Sequence, residues 1–250
     1  MLDAWIIAHR GASHDAPENT MAAIQLGWRQ QADAVEIDVQ FSKDGQVVVI
    51  HDDNTGRTTG VRRKIAALTL AELKSLDVGK WKGPKWNGQR ISTLGEALAS
   101  IPKGKRLFVE IKCGPECIPQ FVHDFRASGR EPGQVIPIGF SLATMSALKR
   151  ALPALEVCWV ADFKRTLRGW SPGAEKLVEQ ARQAGLDGLD VSGRGPVDAI
   201  FTRKVHAARL KLYIWTVDSP SQARKLLAAG VDGITTNRPE WLRAKLASPR

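Results

Sequence analysis

The stretch "AVEIDVQF", residues 34–41, alternates like a β-strand, yet one face carries Glu36 and Asp38 where an interior strand should be apolar. A second such pair, Glu110 and Lys112, stands in "RLFVEIK" at 106–112. Side chains alternate across a strand, so residues at i and i+2 share a face; each pair projects together, leaving Val35, Ile37, Val109 and Ile111 to pack on the other side. His9 ends "AWIIAH" and His51 ends "QVVVIH", each directly after an apolar run. Three carboxylates in one place repel one another and are costly to bury unpaired, so they need a compensating cation. An ion pair with Lys or Arg serves for any one of them. For three together a divalent metal fits, and all-oxygen ligation by Glu36, Asp38 and Glu110 favours Mg²⁺ or Ca²⁺ over zinc. Two imidazoles beside such a centre can take a proton from an attacking oxygen and protonate a departing alkoxide near neutral pH. With Arg10 and Lys112 included, the formal charge of the group is +1, which a singly charged phosphodiester would balance. His123 and His206 fall in helical segments and read as structural.

These residues need elements that aim them at one another. Strand-like segments at 4–9, 34–41, 106–112, 134–140, 155–160, 186–191, 211–217 and 232–236 alternate with helical ones, the first of them "ENTMAAIQLGWRQQ" at 18–31, behind Pro17. Gly185 and Gly230 sit where left-handed glycines end helices before the next strand. The alternation predicts an α/β chain folded as a TIM (β/α)8 barrel, in which side chains from strand C-terminal ends and the loops after them meet at one mouth. His9, Glu36, Asp38, His51, Glu110 and Lys112 all take that kind of position. The rhythm breaks after "SKDGQVVVIHDD", a turn at 43–45 followed by a strand. Residues 52–92, rich in Gly, Thr, Trp and Lys, read as an insertion over one end of the barrel with a short helix at "LAELKSL". Residues 161–172 read as a smaller irregular loop.

At 250 residues and 43% hydrophobic the chain can bury a large core, and one domain over 1–250 is the expectation. No apolar run is long enough to span a bilayer, and "MLDAWIIAHRG" lacks the basic start and cleavage site of a targeting peptide. Cys113, Cys117 and Cys158, odd in number and without zinc-like spacing, suit reduced thiols and the cytoplasm. A charge of +10 and a pI near 9.8 admit nucleic acid, an anionic membrane or an acidic small substrate. The basic residues are scattered through "RRK" at 62–64, "LKR" at 148–150 and the closing "RAKLASPR", with no nucleic-acid motif, so a solvated basic surface and no nucleic-acid partner are expected. Trp28, Trp159, Trp170 and Trp241 read as packing or surface aromatics.

"AHRGASHDAPENT", "AVEIDVQFSKDGQVVVIHDDNTGRTT", "FVEIK" and "IWTVDSPSQARKLLAAGVDGITTNRPEWL" resemble the glycerophosphodiester phosphodiesterases over essentially the whole chain. The resemblance implies a TIM barrel with a small insertion after the second strand, and metal-dependent hydrolysis of small glycerophosphodiesters to sn-glycerol 3-phosphate and an alcohol, with Mg²⁺ or Ca²⁺. It implies His9 and His51 as the acid-base pair, Glu36, Asp38 and Glu110 as metal ligands, Arg10 and Lys112 as phosphate contacts, and Trp215 as an aromatic bordering the substrate, with Phe140 as a further pocket wall. Glu18 and Asn19 of "PENT" belong to the signature, with helix-start chemistry behind Pro17 as the other reading. The chain departs from the family at Gly139, where a Ser is common, and at Thr55-Gly56, where an apolar residue is common; both bear on substrate preference. The rivals are a lysophospholipase D-like enzyme acting on longer-chain lipids across an apolar rim at Trp81 and Trp86, and a noncatalytic binder of anionic ligands.

Overall fold

Eight short apolar runs pair edge to edge in parallel and close on themselves. The computed structural model describes residues 4–167 and 169–247. Its strands are β1 (Trp5–Ala8), β2 (Ala34–Phe41), β3 (Val47–Val49), β4 (Arg106–Ile111), β5 (Val135–Gly139), β6 (Cys158–Ala161), β7 (Lys164–Thr166), β8 (Gly169–Ser171), β9 (Gly188–Ser192), β10 (Lys211–Trp215) and β11 (Gly233–Thr236). β1 pairs with both β2 and β11, which closes β1, β2, β4, β5, β6, β9, β10 and β11 into a parallel barrel with helices outside. The TIM barrel expected from the sequence is the fold.

Alternation along the strands builds two apolar layers. Val35, Ile37, Val109 and Ile111 face outward and join the packing helices through Ile24, Leu98, Phe121 and Leu148. Ile7, Phe108, Ile136, Cys158 and Tyr213 face inward and fill the barrel toward its strand N-terminal end, the Phe108 and Tyr213 rings meeting edge-on at 4.9 Å. The interior is thus plugged below and opens only above, where the polar residues sit. Gly185 and Gly230 have φ of 72° and 87°, the left-handed values that such helix-to-strand junctions require.

Three expectations change. The helix behind Pro17 begins at Met21 and ends at Arg29, with the Thr20 hydroxyl accepting from Ala23 N at the N-cap. Asn19 has a left-handed φ of 57°, so the chain between Pro17 and Thr20 is a turn, and the helical periodicity read over 18–31 began too early. β3 pairs antiparallel with β2 and stops at Val49, so His51 lies just beyond the pairing, held near the mouth by Ile50 N donating to Asp38 O. The loop read at 161–172 contains the hairpin β7–β8, paired Lys164 to Ser171 and Arg165 to Trp170. Its two strands pair only with each other and bury nothing, so no apolar alternation announced them.

Residues 52–92 form short turns around a separate apolar cluster of Val48, Ile50, Ile65, Leu68, Leu73, Val78 and Ile91. The short helix there runs Leu70–Ser75, started by a reciprocal cap between Thr69 and Glu72. Lys82 Nζ donates to Ser13 O at 2.8 Å, which ties this segment to the loop after β1.

Gly11 of "HRG" shows how closely that loop is set. Its φ is 79°, and a Cβ there would lie 2.4 Å from the backbone carbon of Ala23. Gly11→Ala should destabilise the fold by about 2–4 kcal/mol, since left-handed strain adds to a clash with backbone that cannot rotate away. Denaturant unfolding checks this; an unchanged midpoint would refute it.

Candidate active site

The acidic cluster follows from strand register. β2 and β4 are neighbours, and Asp38 stands directly opposite Glu110. Glu36, two residues back on the same face, is 3% exposed and Asp38 is 0% exposed. One carboxylate oxygen from each of Glu36, Asp38 and Glu110 lies within 4.8 Å of the others. Lys112 Nζ sits 2.7 Å from Glu110 Oε1 and 3.3 Å from Asp38 Oδ1. Arg10, with a left-handed φ of 54°, donates its backbone N–H to Glu36 Oε2 at 2.8 Å, while its guanidinium reaches Glu18 Oε1 at 2.8 Å and Asp38 Oδ2 at 3.2 Å.

Asn19 resolves the open reading of "PENT". Its amide donates to Asp38 Oδ2 at 2.8 Å and accepts from Asp38 N at 3.0 Å, so it serves the carboxylate, while Thr20 caps the helix. Glu18 accepts from both Arg10 and Arg57.

The electrostatics of the three acids diverge. Burial raises the Glu36 pKa well above the carboxylate range, and the charges of Asp38 and Glu110 add to it. Glu110 is pushed up to about 7 by burial and by Asp38, against the pull of Lys112. Burial acts to raise Asp38 as well, but Arg10 and Lys112 outweigh it and hold this carboxyl below its usual value. Glu110 Oε1 and Asp38 Oδ1 face Lys112 Nζ, while Glu36 Oε1 is buried without a hydrogen-bond partner. Buried polar oxygens are rarely left so. Three carboxylates converging, all hard donors and with only Lys112 and Arg10 among the described residues to offset them, fit a divalent cation of the Mg²⁺ or Ca²⁺ kind.

Each histidine is held through Nδ1. His9 Nδ1 lies 2.7 Å from Asn237 Oδ1, which also accepts from the Ser13 hydroxyl, and the Asn237 amide nitrogen donates to Asp218 Oδ2 at 2.6 Å. Asp218 therefore fixes which way the Asn237 amide points, so the proton of His9 is on Nδ1 and Nε2 is left with a free lone pair. Burial, helped by the neighbouring Arg10 charge, lowers the His9 pKa and keeps the ring neutral. His51 Nδ1 donates to Asp52 Oδ1 at 2.6 Å, and Asp52 Oδ2 takes Arg57 Nε at 2.7 Å. Burial acts to raise the Asp52 pKa, but the hydrogen bonds from Arg57 and His51 win and hold it at about 2.

His9, Arg10, Glu36, His51, Glu110, Lys112, Phe140 and Trp215 all line one cavity of about 240 Å³ at the barrel mouth, with Asp38 among the fully buried side chains at its edge. The Phe140 and Trp215 rings meet edge-on at 5.9 Å and make its apolar wall. A larger groove, about 670 Å³ between the helices Ala174–Gln183 and Ala199–Ala207, lies outside the barrel and contains none of these groups.

Several residues here were not picked out from the sequence. Asp190 on β9 lines the cavity, is 2% exposed, and has a pKa raised well above the usual range by burial and then by Glu110. The signal was available, since "LDGLDV" carries an acid on an otherwise apolar strand just as "EIDV" does. Asp52, Arg57, Asp218 and Asn237 act through contacts that local pattern does not carry. They also change the charge count: Glu18, Asp52 and Asp218 against Arg57 add two negative charges at the mouth, which more than cancels the single positive surplus read from the sequence. An anionic substrate would be held by the placing of Arg10 and Lys112, not by net charge. The departure at Gly139 does not reach the cavity, because a Cβ there would meet Met145 at 3.0 Å, on the helix side of β5.

A closed parallel barrel whose strand ends gather carboxylates, imidazoles and cations around one cavity has the architecture of a TIM-barrel enzyme. Residues 9–241 match the model of the Glycerophosphoryl diester phosphodiesterase family, and the chain belongs to that family. It is 32% identical to a glycerophosphodiester phosphodiesterase of Caldanaerobacter subterraneus subsp. tengcongensis, over 96% of this chain and 97% of that one. A glycerophosphodiester phosphodiesterase of Bacillus subtilis is 28% identical over 94% of this chain and 83% of its own. Among solved structures, an Oleispira antarctica phosphodiesterase in complex with the product sn-glycerol-3-phosphate superposes with a TM-score of 0.87 at 29% identity, covering 98% of this chain and 97% of that chain. No helix among the described residues is long and apolar enough to cross a membrane.

Proposed function

We propose that this chain hydrolyses glycerophosphodiesters to sn-glycerol 3-phosphate and an alcohol, with His9 and His51 moving the protons and Glu36, Asp38 and Glu110 holding a Mg²⁺ or Ca²⁺ ion. The observation that carries this reading is the convergence of three carboxylates, one oxygen of each within 4.8 Å of the others, beside a cavity lined by two imidazoles fixed through Nδ1. When bound, the cation supplies Lewis-acid stabilisation of charge on the phosphoryl oxygens.

The remaining work falls to side chains. Arg10 and Lys112 position the phosphoryl group and offset its charge. Burial acts to lower the Lys112 pKa, but Asp38 and Glu110 keep it raised, so its ammonium stays charged. His9 Nε2, unprotonated, accepts the proton of the attacking oxygen. That oxygen belongs to water, or to the substrate's own glycerol hydroxyl, in which case a cyclic phosphate forms and water opens it. His51 gives its Nε2 proton to the departing alkoxide as the phosphorus–oxygen bond breaks, with Asp52 compensating the charge of the protonated ring before transfer. Phe140 and Trp215 wall the carbon skeleton of the substrate. Residues 1–250 act as one catalytic unit, and the free thiols of Cys113, Cys117 and Cys158 support a cytoplasmic setting.

A second reading, a lysophospholipase D-like activity on longer-chain substrates, draws on one observation. Trp81 in the segment over the barrel is 42% exposed and Phe140 at the mouth is 48% exposed, an apolar approach that a small polar diester does not need. The deciding experiment follows phosphate-product release from a panel of glycerophosphodiester headgroups and from lysophosphatidylcholine. Release of sn-glycerol 3-phosphate from glycerophosphocholine supports the first reading, and faster turnover of lysophosphatidylcholine supports the second. No release from any diester in the presence of Mg²⁺ or Ca²⁺ would overturn both.

A further inference from the structure

Large hydrophobic side chains that this fold leaves in water are gathered at one end. Among the described residues they are Val61, Trp81, Phe140, Leu167, Trp170 and Ile200. In a parallel barrel, every segment that follows a strand emerges at the same end, here the end with the cavity. Phe140 directly follows β5, Leu167 and Trp170 belong to the hairpin after β6, and Ile200 is in the first turn of the helix after β9. Val61 and Trp81 lie in 52–92, which is fastened to the mouth by Arg57 on Glu18 and by Lys82 on Ser13 O. No such side chain is exposed at the opposite end among the described residues.

Cations are interleaved with these anchors. Residues 52–92 hold nine Lys or Arg against four Asp or Glu. Lys82 Nζ lies 5.4 Å above the Trp81 ring, and Lys164 and Arg165 are exposed in the hairpin. That hairpin stands out from the barrel: its described residues from Lys164 to Ser171 are all exposed and its strands pair only with each other. Phe163 at its foot packs edge-on against Phe201 at 5.9 Å, so the base is anchored while Leu167 stands at the turn.

We propose that this rim docks on an anionic lipid surface, with Leu167 and Trp170 entering the headgroup layer and the surrounding lysines and arginines meeting lipid phosphates. The core of a stable protein interface is closely packed and depleted of charge. Here the apolar groups are separate, and those of 52–92 and of the hairpin are interleaved with positive charge, which matches a layer that accepts single anchors, favours Trp at its boundary and carries negative potential. The proposal does not depend on which phosphodiester the site cleaves.

The test is cosedimentation of the full chain with vesicles of mixed phosphatidylglycerol and phosphatidylcholine, and with phosphatidylcholine vesicles alone. The chain should pellet with the mixed vesicles, less with the neutral ones, and less again as salt screens the cations. Leu167→Glu and Trp170→Ser should each weaken the partition about tenfold, the scale of losing one buried apolar anchor, while hydrolysis of dissolved glycerophosphocholine stays at the parent rate. A chain that stays in the supernatant, binds neutral vesicles equally well, or keeps its partition in both variants would overturn the proposal; in the last case a partner reading the cations alone is indicated. Binding is scored without turnover, so a chain that pellets but hydrolyses nothing sinks the phosphodiesterase reading and leaves the docking standing.

Discussion

His9→Ala lowers the turnover of glycerophosphocholine by roughly 10²- to 10⁴-fold, and His51→Ala does the same, each with the fold intact. The size reflects loss of a positioned proton carrier, and circular dichroism with a thermal melt separates it from unfolding. The two variants differ in how rate depends on pH and on the departing group. His9 works as the unprotonated ring, and burial with the Arg10 charge lowers its pKa from the ordinary 6.5, so the acid limb of the parent profile falls below that value and disappears in His9→Ala. His51 supplies the proton on its Nε2, so the loss in His51→Ala should be much smaller with a diester whose departing group needs no proton, such as a nitrophenol. Near-parental rates in both variants would take the imidazoles out of the mechanism.

Excess chelator abolishes hydrolysis, lowering it by at least about 10³-fold, and added Mg²⁺ or Ca²⁺ restores it. Asp38→Asn lowers activity comparably and raises the cation concentration needed for half-maximal rate, because Asp38 is the acid that Arg10, Lys112 and Asn19 hold in its charged form. The cation requirement should also steepen with acidity. Without a cation the Glu110 carboxyl is pushed up to about 7, so below that pH a proton occupies the oxygen a cation would use. As pH falls from 8 to 6, titration of rate against Mg²⁺ should therefore shift to higher concentration, with protons released on binding. Chelator-resistant activity would refute the metal, and a pH-independent titration would refute the role of Glu110 in holding it.

How much of this was legible in the chain follows the range of each interaction. Glu36, Asp38 and Glu110 could be found because a charge on an inward strand position violates a local period, and the barrel then dictates where strand ends meet. That β2 and β4 are neighbours, setting Asp38 against Glu110, follows from the same topology. The partners of the histidines were hidden for the opposite reason: His9 and Asn237 are 228 residues apart, and nothing in "NRPEWL" marks an amide oxygen as the acceptor for an imidazole. Asp52 was adjacent to His51 and visible, but only the second hold from Arg57 gives it a direction. The hairpin after β6 escaped because pattern-reading detects strands through the side they bury, and this one buries neither. The helix behind Pro17 was read three residues early because Asn19 and Thr20 both suit a helix start; the left-handed turn at Asn19 depends on its distant commitment to Asp38.

The contact between His9 and Asn237 has a consequence in time as well as in space. His9 is synthesised 228 residues ahead of the amide that orients it. A growing chain can therefore have its acids and both imidazoles outside the exit tunnel while His9 still lacks the contact that orients it, and on the proposed mechanism competence waits until β11 has docked beside β1.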